Sequence, residues 1–148
     1  MVTLIGMGSG SWEALSVQAQ DAVRRAGLVF GAKRLLAGLP PECTARQFAL
    51  YQPAEILETL AQAPGQDAAV LYSGDTGFYS GASGLLTPLR ALGIPARVYP
   101  GVSSIQLLAA ALGRPWQDWK LVSAHGCACD PVAQCMTERS VFFLLSLI

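Results

Sequence analysis

The sequence predicts an α/β fold: a mostly parallel sheet covered by helices on both faces, with the opening of a second αβ domain at its end. Three observations predict it. Short apolar runs alternate with longer helix-like stretches along nearly all of the 148 residues. The runs are apolar at consecutive positions, as strands buried on both faces require. Glycine-rich segments directly follow three of them, where the ligands of such sheets bind, beyond the strands' carboxyl ends.

Taken in order, Val2–Ile5 is a buried strand, and Trp12–Ala26 a helix opened by Ser11 and closed by Gly27. Leu28–Phe30 is a second strand, followed by Gly31 and a short helix through Leu36. Phe48–Tyr51 reads as a further short strand, and Pro53–Ala63 as a helix with proline at its first position. Ala68–Tyr72 is a strand, Phe78–Leu92 mostly helix, Ala96–Tyr99 a strand, and Ser103–Leu112 a helix ending at Gly113. Lys120–Ala124, Pro131–Thr137 and Val141–Leu145 read as strand, helix, strand. Residues 114–118, with Pro115, form a linker. The expected organisation is therefore an αβα domain over 1–117 and, over 118–148, the truncated opening of a second domain too small to bury its own core.

Composition narrows the function. With 52% hydrophobic and 14% charged residues the chain is not intrinsically disordered. Ten basic residues balance ten acidic ones, so no clustered excess of charge suits a nucleic-acid backbone. The mean hydropathy of +0.40 is high, yet no apolar stretch approaches the ~20 residues of a membrane span. The amino terminus lacks the pattern of a signal peptide. Four cysteines are too few for a disulfide framework, and a reducing, cytoplasmic setting is expected.

Three loops are candidates for chemistry. Gly6-Met7-Gly8-Ser9-Gly10-Ser11 brings backbone amides close to any ligand. Its spacing is not the dinucleotide fingerprint, and no acid follows the second strand to hold a ribose, which disfavours a nucleotide-dependent oxidoreductase. A tight turn without a ligand is the alternative. Ser73-Gly74-Asp75-Thr76-Gly77-Phe78-Tyr79 places Asp75 between two glycines, either as a ligand contact or as an N-cap for the next helix. Pro100-Gly101-Val102-Ser103-Ser104 offers Ser103 as an N-cap. One histidine and no nucleophile elbow exclude a serine triad. His125, Cys127, Cys129 and Cys135 lack the usual zinc spacing and read as free thiols beside a histidine, with no metal.

Together these segments resemble the tetrapyrrole methylases, and most closely the precorrin-6Y and cobalt-precorrin-7 (C5) methyltransferases. Ile5–Ser11, Val29–Leu36, Ser73–Tyr79 and Pro100–Gln106 carry the likeness, supported by Leu112–Asp118 and Val122–Gly126. Thr76 stands where the family usually has proline, Ser9 replaces the proline of Gly-Pro-Gly, and Cys127 replaces an arginine. The resemblance implies an S-adenosylmethionine-dependent C-methylation of a precorrin or cobalt-precorrin in cobalamin biosynthesis. It implies that Gly74, Asp75, Thr76, Gly77, Tyr79, Ser103 and Ser104 hold the methyl donor, in a cleft between two domains. Gly8, Ser9, Gly10 and Ser11 then face the tetrapyrrole. It also implies a homodimer and a decarboxylating methyltransferase as partner. Lys33 and Arg34 read as a solvated pair, or as an attraction for substrate carboxylates. A non-catalytic binding or dimerisation fragment of the same fold is the alternative.

Overall fold

A computed structural model describes residues 1–124, 129–137 and 140–145. Two compact units divide the chain, Met1–Ser104 and Ile105–Ile148. The first contains β1 (Val2–Gly6), α1 (Val17–Arg25), β2 (Leu28–Phe30), α2 (Lys33–Leu36), β3 (Arg46–Phe48), α3 (Pro53–Ala61), β4 (Ala68–Tyr72), α4 (Ala82–Ala91) and β5 (Ala96–Tyr99). Next come α5 (Ser104–Leu112), β6 (Lys120–Ala124), α6 (Pro131–Thr137) and β7 (Val141–Leu145).

The five strands of the first unit form one parallel sheet in the order β3-β2-β4-β1-β5. Val2 pairs with Ala68 on one side and with Ala96 on the other, so β1 lies between β4 and β5 in equal register. Alternate residues of each strand feed two cores. Ile5, Val29, Ala69 and Leu71 pack with Ala19 and Val23 of α1 and Leu35 of α2. Val2, Leu4, Leu28, Phe30 and Val70 pack with Ile56 of α3 and Leu85 and Leu89 of α4. This is a helix–sheet–helix sandwich, and it explains why the central strands β1, β2 and β4 are apolar at nearly every position, while the edge strands β3 and β5 carry Arg46, Gln47 and Arg97.

The helices depart from expectation where a local competitor is present. Trp12–Ala26 is not one helix: Trp12–Ala14 forms a single 3-10 turn, and Leu15 and Ser16 are extended, with ψ of 145° and 151°. Leu15 is thereby buried, and the Ser16 hydroxyl accepts the Ala19 amide at 3.3 Å, so Ser16 and not Ser11 caps α1. Gly27 does not close the helix in a left-handed turn. Ala26 is already extended, and the Gly27 amide donates to the Asp67 carbonyl at 2.8 Å. The third strand is Arg46–Phe48 and not Phe48–Tyr51: only Phe48 is shared with the expected run, because the strand pairs residue for residue with Leu28–Phe30 of β2. The helix expected from Phe78 begins at Ala82, after Tyr79 takes a left-handed φ of 47° and Ser80 Oγ accepts the Ala82 amide.

In the second unit, β6 and β7 pair in parallel, Lys120 with Val141 through Ala124 with Leu145, with α6 between them in sequence. Among the described residues, no helix is long and apolar enough to cross a membrane.

Candidate functional site

The loops after β1, β4 and β5 meet, because those three strands are neighbours in the sheet and all leave it at the same end. The meeting is made by backbone. Gly8 and Gly74 exchange two hydrogen bonds, 3.0 and 2.9 Å long, as an isolated antiparallel bridge. Met7 N–H donates to the Tyr72 carbonyl at 2.8 Å. Gly101 passes so close that a Cβ on it would stand 2.2 Å from the Gly74 oxygen and 2.5 Å from the Gly6 oxygen. No side chain fits there.

Asp75 ties the assembly from its centre. Its Oδ2 accepts the Gly77 amide at 3.0 Å and its Oδ1 accepts the Gly101 amide at 3.3 Å. The N-cap alternative is thus overturned: α4 starts at Ala82, and Asp75 instead spans two loops. Gly74 has a left-handed φ of 64° and nothing within 4 Å of the place a Cβ would take, so its backbone is open to a ligand. Gly77 is exposed, and a Cβ there would meet only Asp75 Oδ2. Thr76 is half-buried and Tyr79 exposed, while Ser103 is buried immediately before α5 and Ser104 is its first residue. On the β1 side, Gly8 and Gly10 are half-buried and Ser9 and Ser11 exposed.

A fourth element joins from β2. Arg34 of α2 donates through Nη2 to Ser73 Oγ, one residue before Gly74. Sequence spacing gives no sign of this contact, which depends on β2 lying beside β4; the only signal was a basic pair just beyond a buried strand.

Titratable groups near the loops are few. Burial pushes the Tyr72 phenol up to about 12, so it stays protonated and cannot serve as a base near neutrality. Burial also raises the Cys43 thiol against smaller lowering effects from the Ala45 backbone and Arg24, and Cys43 belongs to the first core. Cys43, Cys129 and Cys135 are free thiols. His125 and Cys127 lie outside the described residues, and among those described no three potential ligands gather for a metal.

Such an arrangement, mostly peptide groups with one carboxylate, can hold a ligand by shape and hydrogen bonding. The chain matches the Tetrapyrrole (Corrin/Porphyrin) Methylases over residues 1–142. It belongs to that family. Its class is therefore methyltransferase, in a family whose members use S-adenosylmethionine. The cobalt-precorrin-7 C(5)-methyltransferase of Salmonella typhimurium is 33% identical over 143 residues, covering 95% of this chain and 69% of the relative. A probable enzyme of the same name from Methanocaldococcus jannaschii is 30% identical over 133 residues, 85% of this chain and 61% of that one. Among solved structures, uroporphyrin-III-C-methyltransferase from Thermus thermophilus superposes with a TM-score of 0.74 at 23% identity. It covers 98% of this chain and 67% of its own, and this likeness bears on the fold.

Proposed function

We propose that this methylase-family chain takes part in S-adenosylmethionine-dependent C-methylation of a precorrin or cobalt-precorrin in cobalamin biosynthesis. One observation carries the reading: the loops after β1, β4 and β5 are locked together by the Gly8–Gly74 bridge and by Asp75 on Gly101. The residues fit the methyl donor. An amino-acid nucleoside needs close approach to the backbone, and the space beside Gly74 and the exposed Gly77 allow it.

Bound there, S-adenosylmethionine supplies a sulfonium methyl group whose departure leaves a neutral thioether. The chain's own task is then to align and to exclude water, which needs no triad or metal. Gly74, Thr76, Gly77 and Tyr79 line the donor loop, and Asp75 fixes its shape and its distance from Gly101. Ser103 and Ser104 assist from the third loop. Gly8, Ser9, Gly10 and Ser11 form the wall toward the tetrapyrrole. The nucleophilic electrons come from the macrocycle carbon itself, and no residue is assigned as general base.

The reading extends to a cytoplasmic homodimer, with 118–148 as the opening of a second αβ domain and a decarboxylating methyltransferase acting on the same macrocycle. Calorimetric titration with S-adenosylhomocysteine, NAD and FAD tests the core of it: only the first should bind. Gly77→Val should weaken that binding by about tenfold or more, since a β-branched side chain stiffens and crowds the loop. Gly77 does not have a positive φ, so the variant is expected to fold, which a melting curve verifies. Cys129→Ser should leave affinity unchanged. A well-folded Gly77→Val protein with normal affinity removes the loop from the site.

A further inference from the structure

Arg34 is an exposed cation beside the loops, and among the described residues no ion pair involves it. Leu35 and Leu36 are buried and pin α2 to the sheet, which leaves Lys33 and Arg34 exposed on its outer side. The Arg34 guanidinium reaches back over the loops. Nη2 donates to Ser73 Oγ, and Nη1 lies 3.8 Å from where a Cβ of Gly10 would stand. It is therefore bonded to the β4 loop and lies near Gly10 of the β1 loop. Among the described residues, the ion pairs are Met1 with Asp67 and Arg24 with Asp21, and neither involves Arg34. A guanidinium has five N–H donors in a planar fork, and Ser73 occupies one direction of it.

We propose that Arg34 binds a peripheral carboxylate of the tetrapyrrole and so positions the macrocycle against the Gly74–Gly77 loop. The inference rests on the methylase reading and adds to it a substrate-positioning residue. The ligand chemistry is that of acetate and propionate side chains, anionic at neutral pH and matched by the fork of an arginine. Gly10 contributes by being small: a side chain there would begin in contact with Nη1. Ser73 contributes by fixing the guanidinium plane. Lys33, next in sequence, has no such bond to either loop among the described residues and serves as the control.

Uroporphyrin III, a tetrapyrrole polycarboxylate, is the probe, titrated against the chain by its visible absorbance. S-adenosylhomocysteine is titrated in parallel by calorimetry. Arg34→Ala should weaken uroporphyrin binding about tenfold, the size of one lost charge-assisted contact. Arg34→Lys should recover part of the loss, and Lys33→Ala should stay within about twofold of the parent. All three should bind S-adenosylhomocysteine as the parent does. Raising salt should reduce the gap between parent and Arg34→Ala.

The outcomes separate the two readings. If the parent fails to bind S-adenosylhomocysteine, the proposed function falls and this inference with it. If the parent binds S-adenosylhomocysteine but not uroporphyrin, or if Arg34→Ala binds uroporphyrin normally, the inference alone is overturned. Equal loss of both ligands in Arg34→Ala would make Arg34 a support for the loops, and that too overturns it. Ser73→Ala guards this last case, because it removes the support and keeps the charge: a merely structural Arg34 predicts the same losses there.

Discussion

The two units are made from similar sequence and are buried very differently. In Met1–Ser104 every residue of β1 and β2 is buried, and each face of the sheet has its own core. In Ile105–Ile148 all of β6 is half-buried and only Phe142 of β7 is buried. Val132, Met136 and Leu145 are 70–81% exposed. Apolar character is the same in both, so hydropathy identifies the strands equally well. Burial depends on how many layers stand over them. Five strands with helices on both faces enclose their side chains, whereas a two-stranded sheet encloses few.

The sharpest way to break that contrast is to empty both units of one phenylalanine. Phe30, fully buried and stacked on Phe48 at 5.2 Å, should cost about 3–5 kcal/mol when replaced by alanine. Phe142→Ala should cost only about 1–2 kcal/mol, because its surroundings are thin and can collapse. Urea denaturation of the two variants reads the difference. Equal losses would mean that the units are equally cohesive.

A pair of glycines sharpens the comparison at the level of backbone. Gly101→Ala drives a methyl group into the Gly6 and Gly74 carbonyls and should cost about 3 kcal/mol or more. It should also separate the loops and abolish S-adenosylhomocysteine binding. Gly113, at φ of 60° with open space around it, should cost only about 1 kcal/mol on the same change, the strain of a left-handed residue. Thermal melting and calorimetry check both.

The smallest effect is in pH. Because burial raises the Tyr72 phenol from its usual 10 to about 12, the folded first unit keeps a proton that the unfolded chain releases. Its stabilising contribution is complete below pH 10 and is lost as pH rises toward 12. Tyr72→Phe should flatten this part of the stability curve, followed by denaturation at a series of alkaline pH values. An unchanged slope would assign the alkaline loss to other groups.

Much of this was legible in the sequence, and the exceptions have physical causes. The strands Leu28–Phe30 and Ala68–Tyr72 are where the apolar runs place them, since a two-sided burial leaves no ambiguity of face, and the edge strand Ala96–Tyr99 also keeps its expected bounds. The helix starts were misread at Trp12 and Phe78, because Ser16 and Ser80 compete locally for the amides that open a helix. The glycine loops announced themselves by following strands. The bonds between them did not. Asp75 and Gly101 are 26 residues apart, and Arg34 and Ser73 are 39 apart. Only the strand order brings either pair together: β4 lies beside β2 for the second, and β1 alone separates β4 from β5 for the first.

The Gly8–Gly74 bridge and the Gly101 crossing have one more consequence. Their floor is made of peptide groups, joined by one side chain, that of Asp75. Where peptide meets peptide directly, it cannot be retuned by exchanging one side chain for a similar one. Variation at this place is all or nothing, and gradual change in ligand preference must come from the rim: Ser9, Ser11, Arg34, Thr76 and Tyr79. The molecule thus separates an invariant frame from an adjustable border within a span of a few ångströms.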